Sequence, residues 1–317
     1  MKRILMTMMA SIPFSLLAQK SVKLITLDPG HFHAALIQKS MYPQVDPTVH
    51  VYAEEGRDLK LHMERIDGYN KRNTDPTSWK EQVYTGKDFF EKMIAEKKGN
   101  VVVLAGNNRL KTDYILTSIK NGFHVFADKP MAIDANGFQK LLTAFTEAKK
   151  RGLQLYDIMT ERNEITTMLQ RAFSMEPELF GTLEKGTPED PAVTKISVHH
   201  FYKYVSGSVL TRPSWFFDDK QQGAGIVDVT THLVDLIQWE CFPEQIIDYK
   251  KNVKILNAKS WTTPVPVKDF SIVTKEAVPS YLEPIRDAND NLQVKCNGEF
   301  TYQINGVNAK ISVIWNY

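Results

Sequence analysis

Hydrophobic positions in the first half of the chain fall into short blocks separated by stretches with helical spacing. Residues 22 to 28 (VKLITLD) form a continuous apolar run, the pattern of a strand buried on both faces. Pro29-Gly30 then turns the chain into HFHAALIQKS, which reads as a helix. A second strand is expected at about 48 to 54, a charged helix from Asp58 to Tyr69, and a short strand at Gln82 to Tyr84. Phe89, Phe90, Met93 and Ile94 recur at amphipathic spacing within Lys87 to Lys98. Residues 100 to 105 (NVVVLA), His124 to Ala127 and 153 to 158 read as further strands, with helices over 109 to 121 and about 134 to 151. The last helix ends in Lys149, Lys150, Arg151 and Gly152, a basic final turn with a glycine stop. Strands alternating with helices predict a Rossmann-like, doubly wound parallel sheet with ligands at the carboxyl ends of its strands.

Beyond residue 160 the pattern changes. Glu161 to Met175 reads as a helix with Ile165, Met168, Leu169, Ala172 and Phe173 on one face. A loop at 177 to 192 precedes strand patterns at 194 to 204, 246 to 256, 294 to 304 and 307 to 315, with a helix at about 224 to 240. Asn305-Gly306 between the last two strands is a two-residue hairpin signal. The expected fold class is α/β: a Rossmann-like parallel sheet over 19 to 160, then an α+β domain with a mostly antiparallel sheet over 161 to 317. The chain stops at Tyr317, directly after a strand, so this second domain is expected to be incomplete. Open sheet faces and edges there point to a homo-oligomer.

Composition narrows the function classes. With 39 basic and 37 acidic residues, the chain has no long-range field suited to nucleic acid or an anionic membrane. Lys2 and Arg3 precede an uncharged, mostly apolar run from Ile4 to Ala18, the layout of a secretory signal peptide. Export, to a periplasm, is therefore expected, with no stable membrane insertion once the signal is gone. An N-terminal anchor and a buried first strand are the other readings. Removing residues 1 to 18 leaves 37 basic against 37 acidic residues, so the slight basicity belongs to the signal. Cys241 and Cys296 are expected to be two separate thiols.

Three constellations carry chemistry. At 22 to 38 a dinucleotide site needs glycines, so that backbone can approach a pyrophosphate at a helix N-terminus. Only Gly30 remains, and Asp28 places negative charge nearby, but Glu54 ends the second strand where a carboxylate would bind a ribose hydroxyl. Next, Asp128-Lys129-Pro130 follows the fifth strand, pointing Lys129 at the ligand crevice, where it can stabilise a developing alkoxide. Third, Asp228, His232 and Asp235 stand at i, i+4 and i+7 on one helical face. A histidine there is a natural general base for a hydroxyl proton, and a carboxylate one turn away can orient it or the substrate. Metal binding by this row lacks a further His or Cys at ligand spacing, so no metal is expected. Ordinary structural roles for each of these residues remain the alternative.

Other polar residues are read more plainly. His31 and His33 look like a metal pair, but in the first turn they are expected to face the cofactor or the core. His199 and His200 are adjacent in a strand and should face opposite sides. Asp287-Ala-Asn289-Asp290-Asn291 lacks the glycine and glutamate of a calcium loop and reads as a turn.

The ordered set Gly30-x-x-His33-Ala34, Asn107-Asn108, Asp128-Lys129-Pro130, Arg212-Pro213-x-Trp215-x-Phe217-Asp218 and Gly223-x-Gly225-x-x-Asp228-x-x-x-His232-x-x-Asp235 resembles the Gfo/Idh/MocA oxidoreductases. The resemblance covers residues 22 to about 240. It implies oxidation or epimerisation of sugars, cyclitols and glycosides with NAD or NADP, or glycoside cleavage through oxidation and elimination. By it, Lys129 matches the lysine of the Glu-Lys-Pro motif, with Asp128 as a departure, and Asp228 and His232 match the substrate-orienting aspartate and catalytic histidine. Gly30, His31, His33, Glu54, Asn107, Asn108, Asp128 and Pro130 are expected at the cofactor, and Arg212, Trp215 and Asp235 at the substrate. The fingerprint's first two glycines are replaced, by this alignment at Ile25 and Leu27.

The expected activity is hydride transfer from a hydroxyl-bearing carbon of a small carbohydrate to a tightly bound nicotinamide, with His232 as base and Lys129 at the oxyanion. The alternatives are a glycoside-cleaving enzyme that uses the cofactor transiently and a non-catalytic sugar-binding protein that has lost it.

Overall fold

The computed structural model describes residues 22 to 205 and 207 to 317, so the expected signal segment lies outside the described residues. The first half alternates as read: β1 (Leu24–Leu27), α1 (His33–Leu36), β2 (Thr48–Ala53), α2 (Arg57–Lys71), β3 (Lys80–Thr85), α3 (Phe89–Glu96), β4 (Val101–Leu104), α4 (Lys111–Lys120), β5 (His124–Ala127), α5 (Ala135–Arg151) and β6 (Leu155–Asp157). The strands form one parallel sheet in the order β3-β2-β1-β4-β5-β6. Growth of the sheet reverses between β1 and β4, which opens a crevice beyond their carboxyl ends. Every residue of β1 and β4 is buried, as their unbroken apolar runs require. Asp134 caps α5 by accepting from the Gly137 N–H, and Gly152, at φ 65°, ends it.

The helix expected after Gly30 is a single turn. The N–H groups of Gly30 and His31 both donate to the Ala105 carbonyl, which pins this loop against the turn after β4. Gly106 makes that approach possible, since a Cβ there would lie 2.1 Å from the Asp28 carbonyl oxygen.

The second half contains α6 (Ile165–Ser174), α7 (Pro177–Phe180), β7 (Val193–His200), a small hairpin of β8 (Tyr204–Val205) and β9 (Ser208–Val209), α8 (Gly225–Cys241), α9 (Tyr249–Asn252), β10 (Val253–Pro266), α10 (Val267–Thr274), β11 (Asn291–Ile304) and β12 (Val307–Asn316). The larger sheet runs β10-β11-β12-β7, with two antiparallel pairings and a parallel β12-β7 edge. Asn305 and Gly306, at φ 48° and 81°, make the expected tight turn. The strand expected at 246 to 256 begins only at Val253, because Asp248 caps a helical turn before it. That strand continues to Pro266, and its prolines sit on an edge strand, where an N–H can be spared. Val229, Leu233 and Ile237 of α8 pack on the sheet in one core with Cys296, Ile311 and Trp315.

The apolar face of α6 is open instead of packed. None of its residues is buried, and Ile165 and Phe173 are 63% and 55% exposed. Cys241 and Cys296 are separate free thiols. Asp287 accepts from the Asn289 and Asn291 N–H groups, the turn that was expected. Among the described residues no helix is long and apolar enough to cross a membrane.

Gly106→Ala is expected to destabilise the fold by at least about 2 kcal/mol, because backbone is what its Cβ meets. Gly68→Ala, in α2 with open space around it, should be neutral or stabilising by up to about 1 kcal/mol. Denaturant midpoints of the two variants check this contrast.

Candidate active site

At the end of β5 the chain presents Asp128, Lys129 and Pro130, with a cis bond between the last two. Lys129 Nζ donates to Asp228 Oδ1 of α8 at 2.7 Å, and Gln222 Nε2 donates to the same oxygen at 3.0 Å. Both partners are buried. Burial works to raise the Asp228 carboxyl, but the charge and hydrogen bond of Lys129 outweigh it and bring the group down to about 2. Burial likewise works against the Lys129 ammonium, and Asp228 overrides it, so the lysine is held above its ordinary value. Lys111, absent from the sequence reading, supports the turn from beneath by donating to the Asp128 and Pro130 carbonyls at 3.0 and 3.3 Å. Burial pushes its amine down to about 8.

Lys129, Asp228 and His232 line one pocket of about 300 Å³ together with His31, His33 and Arg212. His232 is lowered to about 4, first by burial and then by the charge of Lys129. Its Nδ1 lies 3.8 Å from Glu161 Oε1, another pocket residue. Asp228 therefore serves Lys129, the partner it hydrogen-bonds. Asp235, expected at the substrate, is instead engaged by Arg162, whose Nε donates at 2.8 Å, and it does not line the pocket. Arg212 does line it, but its Nε and Nη2 donate to the Phe201 and His200 carbonyls at 2.8 and 3.0 Å. Its guanidinium also lies over the rings of Phe216 and Trp315. It is a tether as much as a wall.

Sequence reasoning missed Glu161, Lys203 and, as a pocket residue, His199. The alternation of β7 does separate His199 from His200, which lies outside the pocket beside the Tyr317 carbonyl. Which side faced the pocket had no local signal. Burial, then Arg212 and Lys129, lowers Lys203 to about 8.

A second cleft of about 260 Å³ lies at the carboxyl ends of β1, β2 and β4, lined by Asp28, Glu54, Asp58, Asn107, Tyr114 and Trp215 among others. Trp215 thus belongs to the crevice expected for the cofactor and not to the substrate pocket. Its Nε1 donates to Asp58 Oδ2 at 2.7 Å. A Cβ on Gly30 would meet that carboxylate oxygen at 2.9 Å and the indole at 3.0 Å. Asn107 lines the cleft, whereas Asn108 is buried and donates to the Gln222 carbonyl at 2.8 Å, joining the two halves. Asp28, at φ 48°, takes the left-handed conformation that glycine usually supplies. The replaced glycine is therefore at Asp28, while Ile25 and Leu27 are fully buried core of β1. Burial, Asp58 and Glu54 together push the Asp28 carboxyl up to about 6. The crevice fits a dinucleotide at its ribose end, where Glu54 closes β2, and departs from the usual cradle over Gly30.

Asp128, expected at the cofactor, is enclosed by the two loop histidines. His31 Nδ1 lies 3.1 Å from Asp128 Oδ2, and His33 Nδ1 lies 2.9 Å from Oδ1. Burial, then His33, lowers His31 to about 3. Burial works to raise the Asp128 carboxyl, but His33 and the two hydrogen bonds hold it well below the usual range.

Residues 49 to 156 match the model of an oxidoreductase family with an NAD-binding Rossmann fold, a match that starts past the Gly30 loop. Residues 169 to 317 match one described as "Putative oxidoreductase C terminal domain". No curated protein matches the chain. A crystal structure described as "a putative oxidoreductase from Parabacteroides merdae ATCC 43184" is 55% identical, covering 95% of this chain and 68% of that one, with a TM-score of 0.90. The WlbA dehydrogenase from Chromobacterium violaceum, in complex with NADH and UDP-GlcNAcA, is 16% identical over 94% of this chain and 68% of its own, TM-score 0.55. A 3-ketoreductase from Actinomadura kijaniata, in complex with NADP, is 12% identical over 94% and 71%, TM-score 0.54. These last two share the fold. By its strand order, its matched residues and its 55% identity to a solved relative, the chain belongs to the Gfo/Idh/MocA oxidoreductase family and carries that family's NAD-binding Rossmann fold.

Proposed function

We propose that the chain oxidises a hydroxyl group of a sugar, glycoside or cyclitol by hydride transfer to NAD or NADP. The observation that carries this reading is the buried Lys129–Asp228 pair facing the same pocket as His232. Bound nicotinamide would supply the hydride acceptor, with Glu54 at a ribose hydroxyl and Asn107 along the crevice. Lys129, buried beside Asp228, keeps its charge and would stabilise an alkoxide as it develops. Asp228 fixes the direction of that ammonium. His232, neutral above about pH 4, would accept the hydroxyl proton, and Glu161 faces the resulting imidazolium. Solved proteins of this fold hold NADH with a UDP-sugar derivative and NADP, which supports a carbohydrate substrate.

The tryptophan and carboxylate over Gly30 favour one other reading, a sugar-binding protein without cofactor. Glycoside cleavage by transient oxidation would use the same residues and leave no net reduced nucleotide. The same proposal takes the chain as a homo-oligomer, on the strength of the exposed apolar stripe of α6 and of Ile196 and Val198 on the open sheet face.

Purified protein denatured in acid should release one nicotinamide nucleotide per chain, identified by mass spectrometry; release of none supports the cofactor-free reading. Lys129→Ala should lower kcat on the sugar that reduces the nucleotide by about 10²–10³-fold, the loss of a charge-stabilising donor. Because the His232 value is lowered, its base form persists through neutral pH, and the acid limb of kcat/KM should fall only near pH 4. Asp28→Gly removes a carboxylate and supplies the residue its φ favours. It should tighten nucleotide binding about fivefold in a fluorescence titration, since one like charge nearby is worth on the order of 1 kcal/mol. Replacing Met168 and Phe173 by Glu should lower the mass measured by light scattering.

A further inference from the structure

We propose that His31, His33 and Asp128 form a binding site for one divalent transition-metal ion of the zinc class, opening onto the pocket that holds Lys129 and His232. The three residues offer ligand atoms that all lie within 4.8 Å of one another. His31 Nδ1 and His33 Nδ1 stand 3.1 and 2.9 Å from the two carboxylate oxygens. Tetrahedral ligands about 2.0–2.1 Å from zinc are separated by about 3.3 Å, so the trio has to spread only slightly to admit an ion. Two imidazoles and one carboxylate are also a donor set that zinc and its neighbours favour over magnesium or calcium.

Charge points the same way. Asp128 is 2% exposed, and among the described residues no lysine or arginine lies at ion-pair distance from its carboxylate. The nearest ammonium groups are committed elsewhere: Lys129 to the Asp228 carboxylate, and Lys111 to the Asp128 backbone carbonyl. The two imidazoles are what keep this carboxylate ionised, and a dication bound among the three would meet its charge directly. The support is rigid, since the His31 N–H is anchored on Ala105 and Asp128 is anchored by the hydrogen bond of its own N–H to Leu104. His31 and His33 line the pocket, and buried Asp128 is reached through their ring nitrogens. Three protein ligands with one side facing a pocket is the form of a site that keeps a position for water or a substrate oxygen. The inference concerns binding and stands apart from the redox reading.

The test uses the full mature chain without an affinity tag, stripped with chelator and titrated with Zn(II) by calorimetry and with Co(II) by visible absorption. One equivalent per chain is expected, with the d–d bands of low-coordinate cobalt. His31→Ala and His33→Ala should each weaken binding by at least about a hundredfold, beyond the roughly 10–100-fold lost when a partner outside the coordination shell is removed. Asp128→Asn keeps the shape of the site and should weaken binding as well, while His200→Ala, outside the pocket, should bind as the parent does. Circular dichroism confirms that each variant is folded, and the parent titration is decisive without them. Absence of stoichiometric binding by the parent, or binding that survives loss of both His31 and His33, overturns the proposal and leaves two imidazoles hydrogen-bonded to a carboxylate.

Discussion

Lys129 of the parallel sheet and Asp228 of α8 meet in a buried ion pair, and the remaining geometry of the pocket follows from that meeting. Losing one partner from such a pair leaves the other charge stranded, at about 3–5 kcal/mol. The surroundings are arranged accordingly: Gln222 adds a donor to Asp228, and Lys111 holds the turn that carries Lys129. Asp228 has its proton equilibrium shifted down to about 2, below its ordinary 3.8, so the pair stabilises the fold above about pH 4 and loses that contribution as pH falls toward 2. Farther along the same boundary, Arg57 donates to the Thr274 carbonyl and pairs with Glu276, while Trp215 reaches Asp58. The two sheets are thus fastened on both flanks of the crevice, and the ligand space is what these contacts leave between them.

The crevice departs from the usual dinucleotide cradle in a physically coherent way. Three carboxylates, Asp28, Glu54 and Asp58, share a small cleft, and burial first, then the charges of Asp58 and Glu54, elevates Asp28. Indole and carboxylate cover Gly30, and the N–H groups that a pyrophosphate would use are satisfied by Ala105. In this loop two histidines turn toward a buried aspartate.

Which parts were readable from sequence depended on where their partners lie. The central strands β1 and β4 were, because burial on both faces writes an apolar run into the residues themselves, as at Val101 to Leu104, whereas the exposed edge strand β3 showed only its Gln82 to Tyr84 core. The Asn305-Gly306 turn was, because two consecutive left-handed residues demand those types. Lys129, Asp228 and His232 were, as an ordered motif, and the structure brings them to one pocket. Differences between the sequence reading and the geometry fell where a distant residue decides the outcome. The brevity of α1 is set by Ala105 and Gly106, the place of Trp215 by Asp58, and that of Asp235 by Arg162. Lys111 and Lys203 carry no local sign, since a lone lysine looks like surface until its burial is known.

The open face of α6 has a consequence for folding. Ten residues are too few to hold a helix in water by propensity alone, and this one gains no fully buried side chain from its own chain. Its local support is the Glu164 cap and the contact of Arg171 with Trp239. Were a second copy to cover its apolar stripe, the helicity of this segment would become a function of protein concentration. Arg162, just before α6, pairs with Asp235 on the helix that carries His232, so the ordering of that segment is linked to the helix that lines the pocket.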